Sequence, residues 1–532
     1  MPLLSWLKVL DCTLRDGGYC NEWRFGASNA WQIVRRLAEA QIDIIECGFI
    51  TNRVNYHPDV TKYATFEQAG AMIPEDREGK CFVCMINYGE YELDDIPNCD
   101  GSTIDGVRVA FHKKDLRPAL EFCAGLKQKG YLVFVQAMVT LCYSGEEFLD
   151  LIHRVNALQP YAFYIVDSFG VMKRKDLIRL FYIVEHELAA GIAIGYHGHN
   201  NMQLAYSNAQ ALVDIRTNRN LIVDSSVFGM GRGAGNLNTE LFVEYLNDNL
   251  DADYRLKPLL IIIDQILNAF YQRDPWGYSL PNYLSAKHNT HPNYASYLDN
   301  KKTLTVQNMD EIFAAMDDSK RVSFDKTYIE SLYVQYLAAG NAHDEQLSEL
   351  KNRIAGKTVM LIAPGSSSAE EADKIIARAQ AEDVVTISVN FRYTQMDTDY
   401  IFVSNLRRFQ ELDAAAYGKC IITSNIPADG VRLQVSYADL LNDVEMVRDN
   451  AGLMLIKLLI RLGVGKVLIA GMDGYSGDRR HNFADEKMTL FQSDAALTAQ
   501  NTGMRKVLCA AREQIPIEFI TTPRYVILNN ED

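Results

Sequence analysis

Two histidines lie two residues apart in the run Tyr196-His-Gly-His-Asn200, and an Arg15-Asp16 pair lies near the start of the chain. Side chains two residues apart on a β-strand point to the same side, so the imidazoles of His197 and His199 can reach one centre. With an aspartate they form a mixed nitrogen and oxygen ligand set. Such a set suits Mn²⁺, Mg²⁺ or Co²⁺ better than a closed structural zinc site. An isolated H-x-H more often packs or hydrogen-bonds, so the interpretation depends on where the fold places it.

The elements that must position these residues are short apolar strands alternating with amphipathic helices, up to about residue 240. The predicted strands are Leu7–Leu10, Ile42–Gly48, Cys81–Ile86, Gly106–Phe111, Leu132–Met138, Ala162–Val166, Ala193–His199 and Leu221–Ser225. Eight such βα units in one stretch predict an α/β fold with an N-terminal (β/α)₈ TIM barrel over residues 1–250. An open doubly wound sheet is the alternative.

Polar residues gather where the predicted strands end, which favours the barrel. Barrel enzymes build their active sites at the carboxyl ends of the strands. Asp16 follows the first strand, Glu46 lies near the end of the second, and Ser168 follows the sixth. His197 and His199 end the seventh. This convergence predicts a metal site at one rim of the barrel.

Three ordered motifs resemble those of the DRE-TIM metallolyases, also called the HMGL-like family. They are Asp11-Cys-Thr-Leu-Arg-Asp-Gly-Gly18, Tyr196-His-Gly-His-Asn200 and Gly231-Arg-Gly-Ala-Gly-Asn236, and the resemblance spans about residues 5 to 245. The family includes 4-hydroxy-2-oxovalerate aldolases, which the chain resembles most, 3-hydroxy-3-methylglutaryl-CoA lyases, and the isopropylmalate and homocitrate synthases.

The resemblance implies a role for individual residues. It implies four protein ligands to a divalent metal: Asp16, His197, His199 and Asn236. Arg15 would stabilise an enolate oxygen, Ser168 would hold the carboxylate of a 2-oxo acid, and Glu46 would support Arg15 and the metal.

The implied activity is that of a class II carbon–carbon lyase. It would form or cleave a bond beside a 2-oxo acid such as pyruvate, with an aldehyde as the other substrate, through a metal-stabilised enolate. A Claisen-type acyltransferase that condenses an acyl-CoA with a 2-oxo acid is the alternative. The loop Gly229-Met-Gly-Arg-Gly-Ala-Gly235 has no thiol, which weighs against acyl-CoA cleavage. A retired barrel attached to a nucleotide-dependent transferase is a third hypothesis.

One residue departs from the aldolase pattern. The corresponding pattern in those aldolases is R-D-G-x-H, in which the histidine is the candidate base. This chain reads Arg15-Asp-Gly-Gly-Tyr19 at the same place. An unperturbed tyrosine has a pKa near ~10 and is a poorer base at neutral pH. Either Tyr19 acts through water, or His288 or His291 replaces the histidine from the segment after the barrel.

The rest of the chain predicts two further regions. Residues 251–345 are mostly helical and are expected to cover the barrel site, and residues 346–532 return to an α/β pattern. There a strand leads into the turn Pro364-Gly-Ser-Ser-Ser368, where a helix start favours phosphate. This region remotely resembles Rossmann-like pterin pyrophosphokinases of the MptE type and bacterial sialyltransferases. It predicts a nucleotide or sugar-nucleotide site around Gly365, Asn390 and Asp473; a docking or assembly module is the alternative.

The composition of the chain limits the kinds of partner that we expect it to bind. The chain has 532 residues, 48% of them hydrophobic and 23% charged, and a formal net charge of −15. So acidic a chain without a basic face is not expected to bind nucleic acid. No apolar run approaches the ~18 residues of a membrane span, and ten scattered cysteines are typical of reduced thiols. We expect a cytoplasmic homo-oligomer.

Overall fold

A computed structural model describes residues 5–301, 304–338, 344–381, 383–428, 430–431, 433–477, 482–485, 488 and 494–523. The chain divides into two compact units. The first comprises Met1–Ser296 and Asp317–Phe324, and the second comprises Tyr297–Met316 and Asp325–Asp532. The predicted helical region between the barrel and the later sheet is therefore shared between the two units.

The first unit is built on nine parallel strands. They are β1 (Leu7–Asp11), β2 (Ile44–Ile50), β3 (Lys62–Tyr63), β4 (Cys81–Asn87), β5 (Gly106–Phe111), β6 (Leu132–Ala137), β7 (Ala162–Asp167), β8 (Ala193–Gly198) and β9 (Leu221–Ser225). Strand β1 pairs with both β2 and β9, which closes the sheet, while two-residue β3 pairs only with the outer end of β2. The predicted eight-stranded TIM barrel is confirmed.

Helices surround the barrel because one face of each is apolar. In Ala27–Glu39 the buried side chains are Ala30, Ile33, Val34, Leu37 and Ala38, a spacing of three and four residues. The other helices of this region are Thr13–Asp16, Gly18–Asn21, Phe66–Gly70, Leu116–Gln128, Gly145–Leu158, Arg174–Glu187, Ala205–Val213 and Thr239–Leu250. Short 3₁₀ turns are Leu93–Asp95, Lys113–Asp115, Thr140–Cys142 and Val227–Gly229.

The segment after the barrel is helical, as its sequence predicts. Its helices are Leu256–Ile262, a π-turn at Ile263–Leu267, Asn268–Arg273, Leu280–Lys287, Pro292–Asn300, Val306–Ala314, the 3₁₀ turn Asp318–Lys320, Lys326–Ala338 and Asp344–Ile354. No helix in the described ranges has both the length and the apolar character needed to cross a bilayer.

The second unit contains a seven-stranded parallel sheet. Its strands are β10 (Thr358–Ile362), β11 (Val384–Val389), β12 (Tyr400–Val403), β13 (Cys420–Thr423), β14 (Leu433–Val435), β15 (Lys466–Ala470) and β16 (Ile517–Phe519). The order is β14-β13-β12-β11-β10-β15-β16. Successive strands from β10 to β14 are added on one side of β10, and β15 and β16 are added on its other side, so the order reverses between β10 and β15. The sequence predicts six of these strands, at Thr358–Ala363, Val384–Val389, Tyr400–Val403, Cys420–Thr423, Lys466–Ala470 and Ile517–Ile520. It does not predict β14, which is three residues long.

Helices connect these strands. They are Ser367–Glu370, Ala372–Ala379, Leu406–Gln410, Tyr437–Leu440, Ala451–Arg461 and Asp494–Arg512, with 3₁₀ turns at Ala414–Lys419 and Glu445–Val447. A parallel sheet with connecting helices is the Rossmann-like architecture that the sequence predicts for this region.

Candidate active site

Three predicted ligands come together at the carboxyl end of the barrel. Asp16, His197 and His199 each offer a ligand atom within 4.8 Å of the others, and all three side chains are buried. Asp16 lies on the short helix after β1, His197 lies in β8, and His199 directly follows that strand. The barrel therefore brings residues distant in sequence to one point.

His197 is held by an aspartate on the neighbouring strand. Its Nδ1 lies 2.9 Å from Oδ2 of Asp224, which is in β9. When Nδ1 carries the proton and donates to this carboxylate, Nε2 keeps its lone pair for a metal. A carboxylate behind a ligating imidazole is the arrangement that fixes ring orientation at metal sites.

His199 and Asp16 fit the same interpretation. Nδ1 of His199 lies 3.8 Å from Oδ2 of Asp16, and in the described part of the chain it has no hydrogen-bond partner although it is buried. Burial lowers the pKa of His199 to about 3, so the imidazole is neutral at pH 7. Burial opposes the charge on Asp16, but Arg15 and the two imidazoles outweigh it and lower the pKa of that carboxyl. A neutral imidazole and an ionised carboxylate are the forms that bind a cation.

Asn236, the predicted fourth ligand, touches this cluster. Its Nδ2 donates to Oδ2 of Asp16 at 2.6 Å, while its buried Oδ1 has no hydrogen-bond partner among the described residues. The glycine-rich loop passes close by: a Cβ on Gly231 would lie 2.2 Å from Nδ2 of Asn236 and 2.7 Å from Oδ2 of Asp16. Only glycine leaves room for the amide and the carboxylate to meet here.

A buried chain of alternating charges extends from the cluster across the barrel. Arg15 donates through Nη1 to Asp16 at 2.6 Å and through Nε to Glu46 at 2.9 Å. Glu46 also accepts from Arg108 at 2.6 Å, and Arg108 in turn pairs with Asp224. Three carboxylates thus face two guanidinium groups, which leaves one negative charge in a buried site. A bound cation would offset the cost of burying that charge.

Arg15 has hydrogen-bonding capacity left over. Its Nη2 nitrogen is buried and finds no acceptor in the described ranges. An unsatisfied buried donor is costly, and such groups commonly mark places where a ligand supplies the missing partner.

Ser168 lies in the loop that follows β7. Its Oγ accepts a hydrogen bond from the backbone N–H of Val139 at 2.9 Å, and its carbonyl oxygen accepts from Arg232 at 3.3 Å. The preceding Asp167 accepts from the backbone N–H groups of Val171 and Met172, which shapes this loop. Burial raises the pKa of Asp167 to about 7.

The three candidate bases occupy different surroundings. Tyr19 is 41% exposed and packs edge-on against Trp23. His291 packs against Phe169, next to Ser168, with ring centroids 5.9 Å apart. Burial lowers the pKa of His291 to about 3, and its Nδ1 accepts from the backbone N–H of Asn293 at 3.2 Å. His288 ends the helix Leu280–Lys287, where its carbonyl accepts from Arg321.

Sequence reasoning missed Asp224, Arg108 and Arg232. Asp224 and Arg108 interrupt apolar strands, in Leu221-Ile-Val-Asp-Ser225 and Gly106-Val-Arg-Val-Ala-Phe111. A charged residue within such a strand is costly to bury unless it is paired, and this was the available signal. Arg232 lies inside the glycine motif Gly231-Arg-Gly-Ala-Gly-Asn236, and no separate role was predicted for it from the sequence.

In the second unit, the three residues predicted for a nucleotide site line one cavity. Gly365, Asn390 and Asp473 follow β10, β11 and β15, and all three contribute to its wall. The expected phosphate position is occupied: the carboxylate of Asp473 accepts from the backbone N–H of Ser367 at 2.8 Å and from the Ser367 hydroxyl. The protein itself therefore satisfies the start of that helix.

Comparison with known proteins matches residues 116–262 to the HMGL-like family. A 4-hydroxy-2-oxovalerate aldolase from Geobacillus genomosp. 3 is 27% identical over 247 residues, which cover 45% of this chain and 70% of that protein. An oxaloacetate decarboxylase from Mycobacterium tuberculosis is 26% identical over 242 residues, covering 45% and 69%. These similarities extend over less than half of the chain.

Among solved structures, the N-terminal domain of a candidate aldolase from Bacteroides vulgatus is 26% identical. It covers 55% of this chain and 96% of its own length, with a TM-score of 0.49. The residues matched to the family include β6 to β9 of the barrel and the two later motifs, Tyr196–Asn200 and Gly231–Asn236. The barrel region of the chain is therefore similar to the HMGL-like family, the DRE-TIM lyases and aldolases.

Proposed function

We propose that the barrel is a divalent-metal-dependent aldolase-type lyase, similar to 4-hydroxy-2-oxovalerate aldolase. It would cleave a 4-hydroxy-2-oxo acid into pyruvate, or another 2-oxo acid, and an aldehyde, or catalyse the reverse. The observation that carries the proposal is the buried cluster of Asp16, His197 and His199 beside the unsatisfied Nη2 of Arg15.

The metal would be held by Asp16, His197 through Nε2, and His199 through Nδ1, with Oδ1 of Asn236 as a fourth donor. When bound, Mn²⁺ or Mg²⁺ supplies a positive charge that polarises the ketone of the 2-oxo acid. Carboxylate, imidazole and amide oxygen donors match the preferences of such ions.

The rest of the 2-oxo acid would be bound by the chain's own donors. Cleavage beside a ketone leaves an enolate, whose oxygen carries the developing negative charge. Nη2 of Arg15 is a buried donor on a guanidinium fixed by Glu46 and Asp16, so it can stabilise that charge without reorganising. The hydroxyl of Ser168 already accepts from Val139 and keeps its own hydrogen for the substrate carboxylate.

Cleavage also requires a group that removes the proton of the 4-hydroxyl. His291 is neutral, lies beside the Ser168 loop and uses its Nδ1 lone pair to accept from Asn293. In that tautomer Nε2 carries the hydrogen, so His291 would donate to the aldehyde oxygen rather than take the proton directly. We propose that a water molecule removes the proton and passes it to the unprotonated ring nitrogen of His288, or to Tyr19 in its phenolate form. The same water would return a proton to the enolate carbon, which gives pyruvate.

The named relatives support the 2-oxo acid half of this proposal. Cleavage of 4-hydroxy-2-oxovalerate and decarboxylation of oxaloacetate both leave the enolate of pyruvate. A site that stabilises this enolate accounts for both names, and the leaving fragment is what differs. Oxaloacetate decarboxylation is therefore the second activity to test.

The experiment is a substrate screen with the full chain in Mn²⁺. Pyruvate is incubated with a panel of aldehydes, oxaloacetate is incubated alone, and products are identified by mass spectrometry. We expect a 4-hydroxy-2-oxo acid from at least one aldehyde, and none from the His199→Ala variant. Turnover of acetyl-CoA with a 2-oxo acid, without any aldehyde reaction, would favour the Claisen alternative.

A further inference from the structure

We propose that the second unit binds a nucleoside diphosphate, free or as a sugar ester, in the cavity at the carboxyl edge of its sheet. This site is separate from the barrel chemistry. Its walls come from the loops after β10, β11 and β15, and β10 and β15 flank the point where the strand order reverses. In open α/β sheets, ligands bind at this point because adjacent loops diverge there and leave a crevice.

The floor of the cavity is fixed by contact between two loops. A Cβ on Gly365 would lie 2.3 Å from the carbonyl oxygen of Gly471 and 2.6 Å from Oδ2 of Asp473. Gly471 has a φ of +68°, and a Cβ there would lie 2.1 Å from the Ala363 carbonyl oxygen. Because Asp473 also occupies the amide of Ser367, an anionic ligand is excluded from this floor and must place its charge elsewhere in the cavity.

Three amide side chains line the cavity as hydrogen-bond donors. The carbonyl oxygens of Asn390, Asn405 and Asn450 accept from the backbone N–H groups of Ser404 at 3.0 Å, Arg407 at 2.9 Å and Leu453 at 3.2 Å. Since each oxygen is engaged by the backbone, the NH₂ group is the part that remains for a ligand. A wall of donors suits a ligand rich in acceptor oxygens.

Two cationic side chains, each paired with a carboxylate, also line the cavity. The side chain of Arg408 is 12% exposed and pairs at 3.0 Å with Glu411, which is itself 52% exposed. A partner in water competes weakly for a guanidinium, so Arg408 can bind a phosphate. Lys301 also lines the cavity and pairs with Glu330 at 2.8 Å. Of the two, Arg408 is the better candidate because Glu330 is largely buried.

Other lining residues are thioether and aromatic side chains, namely Met446, Met472, Met488, Met504, Tyr475 and Phe483. Such polarisable groups pack well against flat rings. The carboxylate of Asp449 also lines the cavity, where it accepts from the Tyr333 hydroxyl. Gln500 lines the same cavity, and its buried Oε1 finds no hydrogen-bond partner in the described ranges. That oxygen can accept from an N–H on the edge of a base, so donors for phosphate and an apolar wall for a base share one cavity.

The test is isothermal titration of the full chain with ADP, GDP, CDP and UDP, each beside its nucleoside, its glucose ester and inorganic phosphate. We expect one diphosphate to bind at one site per chain, at least 10-fold tighter than its nucleoside. Tighter binding of the glucose ester would identify the sugar ester as the ligand. If no diphosphate or ester binds, or if nucleoside or phosphate binds equally well, the proposal is overturned.

Two variants and one control locate the site. Arg408→Gln should weaken binding at least 10-fold, whereas Arg407→Gln, on the same helix but exposed, should not change it. Gln500→Leu should reduce discrimination among the four bases. Far-ultraviolet circular dichroism establishes that each variant folds. Unchanged affinity in folded Arg408→Gln would overturn the placement of the phosphate.

We infer separately that Arg232 selects an anionic group on the aldehyde, an inference that rests on the proposed function. The backbone N–H of Arg232 lies 3.4 Å from Oδ2 of Asp16, and its guanidinium donates to the Ser168 carbonyl. It therefore spans the predicted metal and carboxylate positions. Its Nε is buried without a hydrogen-bond partner, and in the described ranges no carboxylate lies within ion-pair distance of the guanidinium.

Tyr19 supports this guanidinium. The Arg232 Cζ lies 5.3 Å from the centre of the Tyr19 ring, and Trp23 packs edge-on against the same tyrosine. Trp23 is anchored by donating to the Arg15 carbonyl oxygen at 2.7 Å. An aromatic face stabilises a cation by about 0.5–1 kcal/mol at exposed sites. The tyrosine that replaces the expected histidine thus positions a positive charge at the mouth.

The test compares aldehydes that differ in charge. With pyruvate, we expect kcat/KM for succinic semialdehyde to exceed that for butanal, and glyceraldehyde 3-phosphate to exceed glyceraldehyde, by at least 10-fold in one pair. Arg232→Gln should abolish the preference, and Arg179→Gln, exposed on an outer helix, should keep it. Equal rates for charged and neutral aldehydes would overturn the inference while leaving the aldolase intact.

A turnover-free measurement separates the two claims. If no aldehyde reacts, the proposed function fails, and protection from thermal unfolding by each charged aldehyde then tests Arg232 alone. Larger protection of wild type than of Arg232→Gln supports the inference. Equal protection overturns it.

Discussion

His197 and Asp224 lie 2.9 Å apart on adjacent strands, with Nδ1 of the imidazole facing the carboxylate. Asp224 also pairs with Arg108, which pairs with Glu46, and Glu46 pairs with Arg15. The orientation of one metal-site imidazole is therefore connected, through fully buried charges, to the arginine expected to face the enolate. Such a connection makes several residues that touch no substrate important for activity.

We expect Asp224→Asn to weaken Mn²⁺ binding by about 10- to 100-fold, because the imidazole loses the charge that fixes its tautomer. Equilibrium dialysis measures this. Asp43→Asn is the matched control, since Asp43 is a carboxylate before β2 that accepts from Val9 and Tyr254. Equal metal affinity in Asp224→Asn and Asp43→Asn would contradict the role given to Asp224.

Removing the metal with a chelator should abolish lyase activity, and Mn²⁺ or Mg²⁺ should restore it. Added Mn²⁺ should also raise the melting temperature of the wild type by mass action, but not that of His199→Ala, which loses a ligand. Calorimetry of the chelated and reloaded protein measures both effects. Full activity after chelation would disprove the metal site.

Arg15→Ala should lower kcat at least ~100-fold, as removal of a donor to a developing oxyanion does. It also leaves Glu46 and Asp16 without a buried partner, so stability should fall by about 3–5 kcal/mol. Arg15→Lys keeps the charge but not the planar donor set, and should recover stability more than kcat. Steady-state kinetics and denaturant unfolding check these expectations; an unchanged kcat in folded Arg15→Ala would remove Arg15 from its role.

Gly231→Ala should damage the site for steric reasons, because the added Cβ would meet the contact between Asn236 and Asp16. Overpacking of this kind costs about 1–3 kcal/mol. We expect at least a 10-fold loss of kcat/KM. In Gly191→Ala the added Cβ meets nothing within 4 Å, so both activity and stability should be retained. Comparable kinetics in the two variants would contradict the predicted clash.

Asp11 provides a test of pH dependence. It is buried, accepts from Thr13 at 2.9 Å and from Thr239 at 2.7 Å, and burial raises its pKa to about 6. The unfolded value is near ~4. A raised folded pKa stabilises the protein below the unfolded pKa, and this stabilisation is lost as pH rises to about 6.

Asp11→Asn should remove this dependence, since the amide is uncharged and fits the same space. Between pH 4 and pH 6.5, wild type should lose up to about 3 kcal/mol of unfolding free energy relative to the variant. Denaturant unfolding at four pH values measures the difference. A constant difference across that range would show that the carboxyl keeps its ordinary pKa.

The barrel and its metal cluster were predictable because both follow from local patterns in the sequence. Strand-length apolar runs separated by amphipathic helices predicted eight strands, and each was found within a few residues of its predicted bounds. His197, His199 and Asp16 were predicted to converge because strand ends meet at one rim. The short strand Leu433–Val435 was missed because three residues carry too little periodicity.

The pairing of side chains distant in sequence could not be predicted from the sequence in the same way. The partnership of Arg108 with Asp224 joins residues 116 positions apart, and neither residue type nor spacing names the partner. Asp473 was predicted beside a phosphate site, yet its own carboxylate occupies the amide of Ser367. Both outcomes depend on which loops meet in three dimensions.

The amide side chain of Asn201 connects two loops at the mouth of the barrel. Asn201 donates to the carbonyl oxygen of Phe169 at 3.0 Å and accepts from the backbone N–H of Ala234 at 2.7 Å. The loop that carries Ser168 and the loop that carries Arg232 are thus both hydrogen-bonded to one side chain. Laboratory evolution of new aldehyde preferences should therefore succeed when both loops are randomised in concert, and libraries confined to either loop alone should yield mainly inactive clones.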